Sequence, residues 1–202
     1  MYKTIGPLGP ARVPAFWLFI LTAALLFGAP ALAQEPGRNP RWAVPVDLPH
    51  TENFYRITPN LYRAAQPSAE AFQEYEKFGI KTVINLRSKN SDRKYLKGGS
   101  TLRLIEVPMK AWDVDDDEVI AVMRLIKNEP GPILIHCQHG ADRTGIMVAM
   151  YRLVFENWTR EEALDELVGG GYGFHKIWKN IPKYIKEVDV AGIKAAVNAK
   201  NQ

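Results

Sequence analysis

Ile133-Leu134-Ile135-His136-Cys137-Gln138-His139-Gly140-Ala141-Asp142-Arg143-Thr144-Gly145 is the stretch that decides how this chain of 202 residues folds. Its first three residues are a continuous apolar run set off by Pro130-Gly131-Pro132, which predicts a parallel strand buried on both faces. Beyond Thr144, the residues Ile146, Val148, Ala149, Met150, Leu153, Val154 and Phe155 predict a largely buried helix. The segment between them leaves the carboxyl end of a strand and enters the amino end of a helix. Successive N–H groups can converge there, the helix dipole adds positive potential, and Gly140 can take backbone angles that other residues avoid. An anion site is the expected result.

Working outward, strands are expected near residues 55–57, 61–64, 80–86 and 102–107. Pro67-Ser68 opens an amphipathic helix through Phe72, Tyr75 and Phe78, and Gly79 stands where a left-handed terminator belongs. Residues 116–128 form a second helix with a broad apolar face. Thr159 and Glu162 have the capping-box spacing for a further helix that ends at Gly169-Gly170-Gly171, and the tail from 174 to about 200 is expected to be helical, with Pro182 as a place where it could break. Strands alternating with helices give an α/β fold with a mainly parallel central sheet flanked by helices, and ligands in such folds sit beyond the carboxyl ends of the strands.

The first 33 residues differ in character. Lys3 and Arg12 precede an apolar run of roughly 14 residues, short of the about 20 that cross a bilayer, and Ala31-Leu32-Ala33 suits signal peptidase. The expected organisation is a signal peptide at 1–33, an extended proline-rich segment at 34–53 and one domain at 54–202, placed in the periplasm or secreted. An uncleaved leader would instead anchor the chain to the membrane. With cleavage no stable membrane insertion is expected, and the protein is expected to be a monomer. The leader carries two of the 26 basic residues and none of the 22 acidic ones, so the remainder is near +2 and predicts no nucleic-acid partner.

Cys137 is the chain's one cysteine, so it is either a reactive thiol or an inert core residue. A helix terminus and a nearby guanidinium both favour the thiolate, the nucleophilic form. Arg143, six residues on, can fold back over the loop and offer two parallel N–H groups to phosphoryl oxygens, a geometry lysine lacks. Thr144 can hydrogen-bond the sulfur and improve it as a leaving group. His136 and His139 invite a metal reading, but the two flank a turn with no third ligand nearby in sequence, so no metal is expected.

The pattern His136-Cys137-x5-Arg143-Thr144 resembles the signature of the protein tyrosine and dual-specificity phosphatases, and the order of elements from about residue 55 to 186 is similar to the compact dual-specificity type. The resemblance implies a phosphomonoester hydrolase working through a phosphocysteine intermediate without cofactor or metal, on a phosphorylated protein or a small phosphomonoester. Cys137 would be the nucleophile, residues Gln138, His139, Gly140, Ala141, Asp142 and Arg143 would hold the phosphoryl group, and His136 would order the loop.

The general acid is left open, with Asp113 and Asp142 as the leading candidates and Asp115, Asp116, Asp117 or water as the remaining ones. Asp113 lies on an upstream loop beside Trp112, the region from which such phosphatases usually draw the acid, although its separation from Cys137 is short and the proline of the tyrosine-specific version is absent. Asp142 lies directly before Arg143, an arrangement similar to myotubularin-type lipid phosphatases and some secreted bacterial tyrosine phosphatases; the plainer alternative is that its carboxylate turns outward and braces a neighbouring loop. Asp115, Asp116 and Asp117 read as helix-capping residues. Two rival functions remain at this stage: a phosphate-binding module without turnover, and sulfur transfer by a rhodanese-like domain.

Overall fold

The computed structural model describes residues 37–96 and 98–199; the leader expected at 1–33 lies outside the described residues. Among the described residues six strands form one mixed, mostly parallel sheet in the order β1-β2-β3-β6-β4-β5. These are β1 (Val44–Pro45), β2 (Tyr55–Thr58), β3 (Leu61–Ala64), β4 (Thr82–Arg87), β5 (Arg103–Met109) and β6 (Ile133–His136). β3, β4, β5 and β6 run parallel, while β1 and β2 add an antiparallel edge. The apolar run at Ile133 is the buried central strand that its flanking prolines and glycine predict.

Among the described residues six α-helices accompany the sheet: α1 (Ala69–Phe78), α2 (Asp116–Asn128), α3 (Asp142–Phe155), α4 (Arg160–Gly169), α5 (Asn180–Glu187) and α6 (Val190–Asn198). Two apolar clusters form the core. Phe54, Phe72, Tyr75 and Leu134 belong to the one that takes in α1; Met123, Ile135, Ile146, Met150 and Ile185 belong to the other, beneath α2, α3 and α5. α3 is buried on nearly all sides, and Gly145 lets α4 approach it: a Cβ there would stand 2.4 Å from Leu167 Cδ1. No helix among the described residues is long and apolar enough to cross a membrane.

Three expectations are corrected. Pro182 does not interrupt the tail, because it occupies the first turn of α5, where its missing N–H has no partner to lose. The break falls at Val188-Asp189, where Asp189 caps α6 by accepting from Gly192 N–H. Residues 174–179 form turns instead of helix. α3 begins at Asp142, three residues earlier than the expected start beyond Thr144, which puts Asp142 and Arg143 in its first turn.

The segment before β2 is stitched to the domain by polar contacts that hydrophobic patterning does not register. Arg38 donates to Gly170 O at 2.6 Å and to Ala43 O at 2.8 Å. Ala43 N–H donates to Glu166 Oε1 at 2.7 Å. Glu166 is 2 % exposed and also accepts from Arg152 Nε at 2.8 Å and Tyr172 OH at 3.1 Å. Removing one side of a buried ion pair leaves the other charge uncompensated, which costs about 3–5 kcal/mol. Glu166→Ala is therefore expected to destabilise the fold by roughly that amount in urea unfolding, and a change under about 1 kcal/mol would contradict the anchoring role given to this carboxylate.

Candidate active site

The parallel register aligns Ala64 of β3 and Asn85 of β4 with His136, the last residue of β6, so the carboxyl ends of three strands meet where Cys137 begins the loop. Gly140 has φ +67°, and a Cβ on it would lie 2.5 Å from Ala64 O and 2.7 Å from Ala65 N. Those contacts are backbone atoms of the sheet, which cannot yield. Beneath the loop, Arg63 Nη2 donates to Gly140 O at 2.6 Å, and its guanidinium lies 3.6 Å from the Tyr172 ring centroid. Burial pushes the Arg63 guanidinium down from its ordinary value, and the nearby Glu166 carboxylate opposes that shift. Burial, reinforced by Glu166, likewise pushes the Tyr172 phenol up, so its ring meets Arg63 as a neutral aromatic face.

A second support comes from the segments that follow β3 and β4. His136 is fully buried and its Nε2 bonds Asp92 Oδ2 at 2.7 Å, while Asp92 Oδ1 accepts from Gln66 Nε2 at 2.9 Å. Gln66 N–H in turn donates to Gln138 O at 3.2 Å, and Gln66 Oε1 accepts from Arg87 Nη1 at 2.7 Å. On the opposite side Asn53 Nδ2 donates to His139 O at 2.8 Å and to Tyr172 O at 2.9 Å. His136 thus braces the loop from within the core and does not line the cleft.

Above the loop opens a cleft of about 460 Å³ whose lining includes Gln138, His139, Asp142 and Arg143. Arg87 and Lys89 line it too, so part of the basic segment after β4 faces the cleft while its Asp92 is buried. Cys137 is 2 % exposed, at the root of the loop where it meets the core. Arg143 is half-buried, with Nη1 3.5 Å from Leu86 O, a contact at the long limit of hydrogen bonding. No side chain caps α3 at Ala141, which leaves its first-turn N–H groups free of a competing acceptor from the capping position. The Thr144 hydroxyl is buried without a hydrogen-bond partner, the Cys137 sulfur included.

The aspartates part company. Asp142 is buried and lines the cleft; its Oδ1 accepts from His175 N–H at 3.0 Å and its Oδ2 bonds His175 Nδ1 at 2.8 Å. It both faces the cleft and braces a neighbouring loop. Asp113 has a side chain 70 % exposed, pairs with Lys110 at 3.6 Å and borders a separate depression with Lys183 and Tyr184. Asp115 caps α2 through the Asp117 N–H, and Asp116 accepts from Tyr184 OH.

The fold and this loop define a cysteine-based phosphatase, and comparison with known proteins agrees. Residues 49–195 match the tyrosine phosphatase family, to which the chain belongs. Over 194 residues it is 38 % identical to the dual specificity protein phosphatase TpbA of Pseudomonas aeruginosa, an alignment covering 92 % of this chain and 87 % of that protein. The crystal structure of P. aeruginosa TpbA superposes with a TM-score of 0.72 at 37 % identity, over 80 % of this chain and 99 % of that one; a cysteine-to-serine form of TpbA in complex with pTyr superposes equally well. The catalytic core of the PP-IP phosphatase SIW14 from S. cerevisiae shares the fold, with a TM-score of 0.64 at 23 % identity over 74 % of this chain and 93 % of that one. The protein is a phosphomonoester hydrolase of the cysteine-based tyrosine and dual-specificity type.

Arg63 and Asp92 escaped the sequence reading, as did the pairing of His175 with Asp142. Arg63 sat inside a predicted strand, where alternation gives no reason to bury a charge. Asp92 was one acid in a basic loop, and His175 followed a glycine-rich connector that reads as a plain link. Because the backbone of Ala64 blocks any side chain at position 140, Gly140→Ala is expected to lower kcat/KM on an aryl phosphate by about 100-fold or more, the loss that accompanies a misplacement near 1 Å. Far-UV circular dichroism should stay unchanged, and near-normal turnover would show that the loop does not need this conformation.

Proposed function

We propose that the chain hydrolyses aryl phosphomonoesters, phosphotyrosine in protein being the natural class, with Cys137 as nucleophile and Arg143 as phosphate clamp. The observation that carries this reading is the rim of the cleft. Trp112 is 64 % exposed and Ile177 is 77 % exposed; both line the cleft with Trp178, whose ring centroid is 6.4 Å from that of Trp112. A flat ring can lie against such a wall while its phosphate reaches the loop. A polyanionic substrate would draw on many cations, and the lining offers Arg87, Lys89 and Arg143 beside the carboxyl group of Asp142 and the apolar Met109, Ala111 and Ile177.

In this reading Cys137 attacks phosphorus in line, Arg143 and the loop amides hold the equatorial oxygens, and water releases the phosphoryl group from sulfur. Asp142, the aspartate that borders the cleft, gives a proton to the departing phenolate, and His175 fixes its carboxylate. The partnerless Thr144 hydroxyl is available to the sulfur as the intermediate breaks down. We further propose that this chemistry takes place outside the cytoplasm, on the strength of the leader-like pattern at 1–33.

Steady-state rates on two aryl phosphates, one with a good and one with a poor leaving group, test the roles together. Cys137→Ser should abolish turnover of both. Asp142→Asn should slow the poor leaving group by about 100-fold or more and the good one far less, as loss of a general acid does. Trp112→Ala should raise KM on aryl substrates while kcat holds. If Asp113→Asn gives the leaving-group-dependent loss and Asp142→Asn does not, the acid is Asp113; if alkyl phosphates turn over as well as aryl ones, the substrate class is wrong.

A further inference from the structure

We propose that His139, Asp142 and His175 bind a divalent transition-metal ion of the zinc class in the wall of the cleft, beside the phosphate loop. The trio joins three segments: the loop after β6, the first turn of α3 and the glycine-rich connection after α4. One donor atom from each lies within 4.8 Å of the other two. Donors that share a tetrahedral zinc ion stand about 3.3 Å apart, since metal–ligand bonds are roughly 2.0–2.2 Å long. Both imidazoles are exposed, so closing that gap takes side-chain rotation and no refolding. The expectation that no metal would bind rested on pairing His139 with His136, which Asp92 holds inside the core; the fold supplies His175 in its place.

The ligating segments are held together before any ion arrives. His175 N–H fixes Asp142 Oδ1, and the Asn53 amide ties the carbonyl of His139 to that of Tyr172, three residues ahead of His175. Hydrogen bonds of this kind around metal ligands orient them and raise affinity. Two imidazoles with one carboxylate suit zinc and its neighbours, whereas magnesium and calcium take oxygen shells. Three protein donors leave a fourth position of a tetrahedral ion open to water or to an anion in the cleft. An ion here would draw the Asp142 carboxylate into its coordination shell and stop it passing a proton to a leaving group. That inhibition rests on the function proposed above; the binding itself does not.

Calorimetric titration of Zn²⁺ into the Cys137→Ser protein isolates the site from the thiolate, which is itself a zinc ligand. One saturable site is expected, with affinity reduced by about tenfold or more when His139→Ala or His175→Ala is added, and with Mg²⁺ failing to compete. Thermal melts establish that the variants remain folded. No saturable binding to Cys137→Ser, or binding unchanged by the paired histidine replacements, overturns the site. With Cys137 intact, Zn²⁺ should inhibit aryl phosphate hydrolysis, and His175→Ala should weaken that inhibition. Zinc bound at the trio without inhibition would uphold the site and refute the proton-donor role of Asp142.

Discussion

Gly140 O accepts a 2.6 Å hydrogen bond from the buried guanidinium of Arg63, and the geometry of the loop depends on that contact. A carbonyl bound beneath the loop cannot present its partial negative charge to an anion above it. The same residue lies against the Ala64 backbone so closely that a Cβ has no room, and its positive φ is one that glycine takes without strain. Conformation, contact and charge therefore act at one residue. Arg63 is itself held by the Tyr172 ring, and Tyr172 by Glu166, which accepts from Arg152 on α3 and from the backbone of Ala43. The cradle is thereby coupled to the packing of α3 and α4 and to the strand-like segment at the chain's described beginning.

Much of this was legible because hydrophobic burial writes itself into spacing. The Ile133 run, the amphipathic helix closed by Gly79 and the Thr159–Glu162 capping box all appear as local patterns, and all are present at or within a few residues of the expected places. The nucleophile and clamp candidates were legible too, since Cys137 and Arg143 lie on one short segment. What could not be read was long-range and polar. Arg63 meets Gly140 across 77 positions, His136 meets Asp92 across 44, and Asp142 meets His175 across 33. No period of 2 or 3.6 residues encodes such contacts. Pro182 misled for a related reason: proline disrupts a helix interior but is tolerated in a first turn, and the helix start was not visible locally.

The Asp142–His175 pair separates two uses of one carboxylate. As a proton donor it must face the leaving group, and as a metal ligand it must face His139; both directions open on the same cleft. Kinship with TpbA fixes the class of chemistry, while the aromatic and apolar rim at Trp112, Ile177 and Trp178 bears on which phosphomonoester enters.

The most direct measurement is to quench the enzyme in alkaline denaturant, where both phosphocysteine and phosphohistidine survive, during turnover of an aryl phosphate and locate the phosphoryl group by mass spectrometry of the digested chain. A chemistry built on the sulfur at the root of the cradle places it on the peptide containing Cys137, and none remains in the Cys137→Ser protein. A phosphoryl group on His139 or His175 instead, or its retention after the serine replacement, would contradict that chemistry.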